Sequence, residues 1–265
     1  VTTLVAVSPA PPTVDILGVQ VTATTMDRTL AVIEEWIARR QPGYVCVSGM
    51  HGVMECQHDA RLLAIHNAAG LVTTDGMSLV WVCKLKGQQT VERVYGPDLM
   101  LALCERSVAR GYRHFFYGAT PEVLAALTDR LRTRYPGLKI AGTYAPPFRP
   151  LTPEEDADFR GRIAEARPDI IWVGLSTPKQ ERWMAEQVGR LDVPALIGVG
   201  AAFDFHAGTK RQAPRWMQRN GLEWLFRLLS EPRRLGRRYL VNIPAFAWCL
   251  ATDALGLRVT RSSAD

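Results

Sequence analysis

Apolar positions along this chain fall into two alternating rhythms from about residue 14 to residue 208. Short runs of strand length occur at 14–19, 44–47, 71–73, 112–117, 138–141, 170–173 and 195–200. Between them lie stretches with apolar residues three and four apart, such as Leu30, Ile33, Trp36 and Ile37, which is the spacing of one helical face. The run Ile170 to Val173 is continuous rather than alternating, as in a strand covered on both sides. Strands and helices taking turns over short connections predict an α/β fold. The expected architecture is a Rossmann-like, mostly parallel sheet with helices on both faces.

Local signals set the boundaries. Thr24 or Thr25 can cap a helix that Gln41-Pro42-Gly43 ends, since a Thr hydroxyl accepts an orphan N–H at a helix start. A second helix is predicted from the turn Ser48-Gly49-Met50-His51 to about Ala69, and others over 77–86 and 97–110. Residues 87–96 read as an irregular polar segment, and 144–150, with three prolines, as a rigid loop. Thr152-Pro153-Glu154-Glu155 has the cap, proline and acidic residues of a helix start. After Gly208 the pattern changes to basic helices without another strand. The chain therefore divides into a loose tail at 1–12, an α/β unit at 13–209 and a helical appendage at 210–265.

One stretch concentrates polar side chains at a sheet edge. Strand 170–173 leads through Gly174 into Pro178-Lys179-Gln180-Glu181. Proline suits the first turn of a helix, so Lys179, Gln180 and Glu181 are expected at the carboxyl end of the strand, where open α/β sheets bind ligands. Asp75 also follows a strand and precedes a glycine. Its carboxylate can serve there as general base, metal ligand or ribose binder, or can close an Asx-turn. Asp204 is placed similarly, with His206 two residues on, but a single Asp-x-His pair without a third ligand is a weak metal signature. His51, His58 and His66 share one helical region without i, i+4 pairing and read as surface or packing residues. Gly118-Ala119-Thr120-Pro121 opens a helix, whose free N–H groups can hold a phosphate or ribose. The chain contains no G-x-G-x-x-G, no G-x-x-x-x-G-K-[ST] and no G-x-S-x-G, which counts against dehydrogenase, ATPase and serine hydrolase chemistry.

Composition narrows the class. Of 265 residues 47% are apolar, enough for a sizeable core. Five cysteines without a C-x-x-C pair argue for a reducing cytosol and against disulfides or a cysteine zinc site. No basic segment followed by a long apolar stretch marks a secretory signal. The net charge of +6 is uneven: residues 209–265 carry +7 and the rest −1. That localisation indicates an anionic partner for the appendage. There Trp224, Leu225, Leu228 and Leu229 form an apolar stripe beside Arg227, and Arg234, Arg237 and Arg238 cluster after Pro232. Forked guanidinium groups so gathered match diphosphate oxygens. Residues 239–257 are apolar but broken by Asn242, Pro244 and Asp253, short of the ~20 clean apolar residues a spanning helix needs. Such a segment suits an interfacial helix on an anionic leaflet, or a helical pair packed on the sheet domain. It carries no recognised nucleic-acid module, so no nucleic-acid partner is expected.

The motifs together resemble the bacterial WecG/TagA/CpsF glycosyltransferases over residues 14 to 240. They are T-D-G-M at 74–77, E-R-V-Y-G-P-D at 92–98, F-Y-G-A-T-P at 116–121 and G-L-S-T-P-K-Q-E at 174–181. G-V-G-A-A-F-D-F-H-A-G at 198–208 and A-P-R-W-M-Q-R-N-G-L-E-W-L-F-R-L with E-P-R-R from 213 to 234 complete the order. The resemblance implies inverting transfer of a sugar from a UDP-sugar donor to a sugar on a polyprenyl diphosphate. It implies Asp75 as general base, and Arg93, Gln180 and Asp204 at the sugar or diphosphate. Lys179, Glu181, Gly118, Thr120, Ser48 and His51 are further substrate-binding candidates. Arg227, Arg234 and Arg237 match arginines expected to close over the diphosphate. No metal or other cofactor is expected. An anionic membrane surface is the expected partner, homo-oligomer formation is left open, and the implied location is the cytoplasmic face of the plasma membrane. Where family members often carry Thr and Asn after the second strand, this chain has Val47-Ser48-Gly49; where many read R-A-P, it reads Gln212-Ala213-Pro214. A non-catalytic nucleotide-sugar-binding protein on the same fold is the alternative, and UDP release on adding the acceptor separates the two.

Overall fold

The first element of the described residues is a hairpin, β1 (Thr13–Ile16) and β2 (Val19–Thr22), where the apolar run predicted one strand over 14–19. Leu17 and Gly18 turn it, both at positive φ, and Asp15 Oδ1 accepts from the Gly18 N–H at 3.0 Å. A two-residue turn of this kind matches the twist of the strands it joins. The computed structural model describes residues 11–257. The predicted tail at 1–12 lies almost wholly outside the described residues, as do the last eight positions of the predicted appendage.

Helix α1 (Met26–Arg39) starts where the Thr25 hydroxyl accepts from the Arg28 N–H at 3.3 Å, which decides between the two threonines. It leads into β3 (Gly43–Ser48). The next predicted helix is in fact two, α2 (Met50–Cys56) and α3 (Ala60–Asn67), because Asp59 caps a new start by accepting from the Leu62 N–H. Then come β4 (Leu71–Thr74), α4 (Met77–Leu85), α5 (Gly96–Arg110), β5 (Arg113–Gly118) and α6 (Pro121–Arg134). They are followed by β6 (Lys139–Tyr144), α7 (Pro153–Ala166), β7 (Ile170–Gly174), α8 (Lys179–Gln187), β8 (Ala195–Gly198) and α9 (Ala202–Ala207). A reciprocal capping box of Thr152 and Glu155 begins α7. Helices α10 (Arg215–Arg219), α11 (Glu223–Ser230) and α12 (Pro232–Ala254) form the appendage.

Strands β3 to β8 make one parallel sheet in the order β4-β3-β8-β7-β5-β6, beside the separate hairpin. Helices cover both faces. Leu30 and Ile33 of α1, Leu99 and Leu103 of α5, Leu127 of α6 and Phe203 of α9 share one core. Val53 of α2, Leu62 of α3, Leu79 of α4, Phe159 of α7 and Met184 of α8 share the other. Phe246 of α12 belongs to this second core, so the appendage is packed on the α/β unit rather than tethered to it. The segment at 87–95 has no regular structure but is stitched along β4. The Thr74 hydroxyl donates to the Glu92 carbonyl at 2.6 Å, and Val94 N–H to the Thr74 carbonyl at 3.0 Å.

Strands β5 and β7 meet through glycine. Gly118 has φ +125°, and a Cβ on it would lie 2.7 Å from the Gly174 backbone. Any side chain there pushes the two strands apart as well as straining its own backbone. Gly118→Ala is expected to cost about 2 kcal/mol or more, read as a lower urea midpoint with an unchanged m-value.

Candidate active site

The carboxyl ends of β3, β4, β7 and β8 open into a cleft of about 330 Å³ closed from above by the appendage. The sheet side contributes Gly49, Asp75, Ser176, Thr177, Gln180, Gly200 and Asp204; the lid side contributes Arg227, Arg234 and Arg238. A second cavity of about 470 Å³ adjoins it, walled by α4 and α12 and largely apolar, with Met77, Trp81, Ile243, Phe246 and Leu250 among its residues. Gly49, His51, Asp75, Arg227 and Arg238 line both.

Asp75 thus stands at the junction. Its N–H donates to the Ser48 carbonyl at 2.9 Å, and its Oδ1 accepts from the Gly96 N–H at 3.0 Å. Oδ2 is turned toward Gly49 at the meeting of the cavities. Burial raises its pKa above the usual carboxylate value; Arg93 opposes the shift and Glu223 adds to it. A carboxyl made more basic without losing its charge partners is suited to taking a proton.

Arg93, implied at the sugar or diphosphate, is engaged with groups of the protein itself. Its Nε donates to the Asp75 carbonyl, its Nη2 lies 2.5 Å from Glu223 Oε2, and its guanidinium sits 4.0 Å from the centre of the Tyr95 ring. Tyr95 donates its phenol to the other Glu223 oxygen at 2.9 Å. Arg93 therefore lines the apolar cavity but is engaged in fastening α11 to the loop beside Asp75. Glu223 was not singled out from the sequence, although it stands in the quoted G-L-E-W motif. Its signal would have been a lone acidic residue opening a basic helix.

Gln180 lines the cleft from the first turn of α8, with its Oε1 accepting from the Gly200 N–H at 3.0 Å and its Nε2 donating to Glu181 at 3.1 Å. Glu181 is buried beneath the turn and also accepts from Thr177 at 2.8 Å, while Lys179 is exposed and outside the cleft. Only Gln180 of the three is a lining residue, because a helix start points successive side chains in different directions. Asp204 lines the cleft with Lys210 3.5 Å away, and accepts from the Thr209 hydroxyl. Its neighbour His206 is turned aside to the Pro97 carbonyl at 2.9 Å, so the Asp-x-His pair does not converge.

Three further groups of candidates fall outside both cavities. Gly118 and Thr120 end β5 and begin α6. The glycine is needed for close strand approach, and the Thr120 hydroxyl caps α6 by accepting from the Val123 N–H. Ser48 is buried against Gly52 rather than facing the cleft. Arg237 is exposed on the outer side of α12, whereas Arg238, one residue on, points inward. A one-residue step rotates a helix by about 100°, so in a row of arginines the facing one cannot be chosen before the helix is placed. Arg238 is half-buried, its Nε has no hydrogen-bond partner, and burial with Arg227 and Arg234 nearby lowers it to about 10. His51 does line the cleft. Burial, then Arg238 and Arg227, hold it down to about 4, so it is neutral at physiological pH, with Asn242 3.2 Å from its Nδ1. Arg227, Arg234, Arg238 and Lys210 around one cavity form a receptor for an anion such as a diphosphate. Among the described residues no group of three His, Cys, Asp or Glu side chains is placed to hold a metal ion.

Comparison with known proteins bears on this geometry. The family model "Glycosyl transferase WecG/TagA/CpsF family" matches residues 14–260. A relative from Bacillus spizizenii is 31% identical over 192 residues, covering 72% of each chain. It is described as N-acetylglucosaminyldiphosphoundecaprenol N-acetyl-beta-D-mannosaminyltransferase. A relative from Staphylococcus aureus strain MW2 with the same description is 29% identical over 240 residues, covering 90% of this chain and 92% of its own.

The buried Arg93–Glu223 pair generates a stability prediction. Removing one partner of such a pair leaves the other's charge uncompensated, at a cost of about 3 kcal/mol. Glu223→Ala should lose that much stability, with hydrogen exchange accelerated first in residues 223–254. Unchanged exchange there would mean that the pair does not hold the appendage.

Proposed function

This chain belongs to the WecG/TagA/CpsF glycosyltransferase family, and we propose that it transfers a sugar, with inversion, from a UDP-sugar to the sugar of a polyprenyl-diphosphate acceptor. The observation that carries this reading is the meeting of two unlike cavities at one carboxylate. A cation-rich cleft suits a nucleotide diphosphate, an apolar one suits a lipid-linked sugar, and Asp75 stands between them. The relatives' descriptions name an acceptor of this chemistry.

In this reading the acceptor hydroxyl attacks the anomeric carbon of the donor sugar. A hydroxyl with a pKa near ~15 is a poor nucleophile, so Asp75 Oδ2 removes its proton as the new C–O bond forms. The bond from the anomeric carbon to the diphosphate breaks, and its electron pair leaves with UDP. Charge gathers on the diphosphate, where Arg227, Arg234 and Arg238 stabilise it more than they stabilise the ground state. Arg93 and Glu223 act at a distance by fixing the Asp75 backbone and the lid. His51, kept neutral, adds no charge that competes for the Asp75 proton. These cations supply the role that a divalent ion would otherwise fill, so the transfer is read as metal-independent.

The outer side of α12 supports a peripheral membrane site at the cytoplasmic face, where UDP-sugars are available. Arg233, Arg237, Leu240, Val241, Pro244, Trp248 and Leu255 are exposed and fall on one helical face. Cations near one end and large apolar residues beyond fit an interfacial helix on anionic lipid. No described helix is long and apolar enough to cross a membrane.

A panel of UDP-sugars, UDP-N-acetylmannosamine among them, offered with diphosphoundecaprenyl N-acetylglucosamine should yield one lipid-linked disaccharide by mass. Turnover should persist in excess EDTA; activity abolished by EDTA and restored by Mg²⁺ or Mn²⁺ would overturn the metal-independent reading. If UDP binds but no donor in the panel is consumed, the non-catalytic alternative stands instead. Asp75→Asn should lower kcat by ~100-fold or more with donor affinity nearly intact. Because Asp75 is active only when ionised, its raised pKa puts the acidic limb of the pH profile above the ordinary carboxylate range. Glu223→Gln removes a like charge that adds to this shift, so the limb should move to lower pH. A limb that stays fixed would separate Asp75 from the observed titration.

A further inference from the structure

The apolar cavity between α4 and α12 has no role in holding a nucleotide. Its wall and floor are Trp81, Ile243, Phe246 and Leu250, and its outer rim is Leu85, 87% exposed, and Ala247, also exposed. Its charged lining residues are Asp75, Arg93, Glu223, Arg227 and Arg238, and of these Asp75, Arg227 and Arg238 join it to the cation-rich cleft. A slot that is cationic at one end and apolar along its length matches a ligand with a diphosphate head and a hydrocarbon tail. Its rim lies beside the α12 face that exposes Leu240, Val241 and Trp248, so a chain leaving a bilayer enters without crossing water. Large apolar side chains left exposed this way mark an interaction surface.

On the reading of the acceptor as a polyprenyl-diphosphate sugar, we propose that this groove seats the isoprene units nearest the diphosphate. The groove then measures the lipid as well as anchoring it. Each apolar unit buried adds to the affinity of a long-chain acceptor over a short one, while the sugar and diphosphate make the same contacts in both. The groove also sets the acceptor's direction: with the tail between α4 and α12 and the diphosphate at Arg227 and Arg238, the acceptor sugar is brought to Asp75.

Two exposed rim positions test this without disturbing the core. Leu85→Glu places a charge at the mouth, and Ala247→Trp fills the slot. In the full chain, the wild-type ratio of kcat/KM for undecaprenyl- over geranyl-diphospho-N-acetylglucosamine should fall about tenfold or more in each variant. A photoreactive polyprenyl diphosphate lacking sugar should label residues in 77–85 and 239–250, and Ala247→Trp should suppress that labelling. Variants that keep the wild-type chain-length ratio, or label that lands elsewhere, overturn the proposal. Failure of the wild type to transfer any sugar to either acceptor would instead overturn the proposed function. Labelling still decides the groove in that case, because it requires no transfer.

Discussion

The contact on which this molecule's site depends is the ion pair between Arg93 and Glu223. Both side chains are mostly buried, with relative exposures of 15% and 14%, so neither charge is stable there without the other. Arg93 reaches back to the Asp75 carbonyl, and Glu223 also takes the Tyr95 phenol. One exchange of charge therefore orders the irregular loop beside β4, the first turn of α11 and the backbone of Asp75 at the junction. Once α11 is fixed, Arg227 follows one turn later on the same helix and faces the cleft. Asp75 and the cations opposite it are positioned by a common support.

The sheet supplies the other half of the constraint. A parallel sheet presents all its strand ends on one edge, and four of them here form the cleft floor. Gln180 shows how closely that floor is packed. Its Oε1 takes the Gly200 N–H and its amide meets Glu181, which in turn holds Thr177. A polar side chain with its groups so engaged shapes the wall more than it searches for ligand. Asp204 and Lys210 are less encumbered, lying 3.5 Å apart at the opposite side, where an incoming anion or sugar hydroxyl can compete for either. Rigid wall and adjustable pair lie on one cleft.

Much of this was legible in the residue pattern, for reasons that also explain the errors. Continuous apolar runs identified the buried strands because a covered parallel strand has little alternative composition. The run at 14–19 misled because Leu17-Gly18 turns it within its apolar stretch, and only positive φ at both residues reveals the hairpin. Asp59 capping split the helix predicted to reach Ala69, since a cap competes with continuation and apolar spacing does not record it. Motif order pointed to Asp75, Gln180 and Asp204, all of which line the cleft. It could not choose between Arg237 and Arg238, which depends on helix rotation, nor find Glu223, whose meaning arises only when Arg93 is beside it. Gly118 and Thr120 were substrate-binding candidates because a helix start after a strand looks alike whether it binds a phosphate or ribose or caps itself.

Helix α12 carries the last step of the reasoning. Its inward face puts Leu235, Tyr239 and Phe246 against the protein, while Leu240, Val241 and Trp248 face outward. A helix apolar on two sides has lost the single-stripe pattern of an ordinary surface helix, which is why residues 239–257 looked nearly like a membrane span without being one. Pro244 within it is exposed, on the outward side. The two faces meet different surroundings, protein on one and lipid on the other in the reading proposed above. Arginines on the same helix divide along that line. Arg238 turns in to the cleft, while Arg237 turns out with the apolar residues. On that reading one basic cluster would serve two anions of different origin, and the helix that would lie on the bilayer is the one that closes the site.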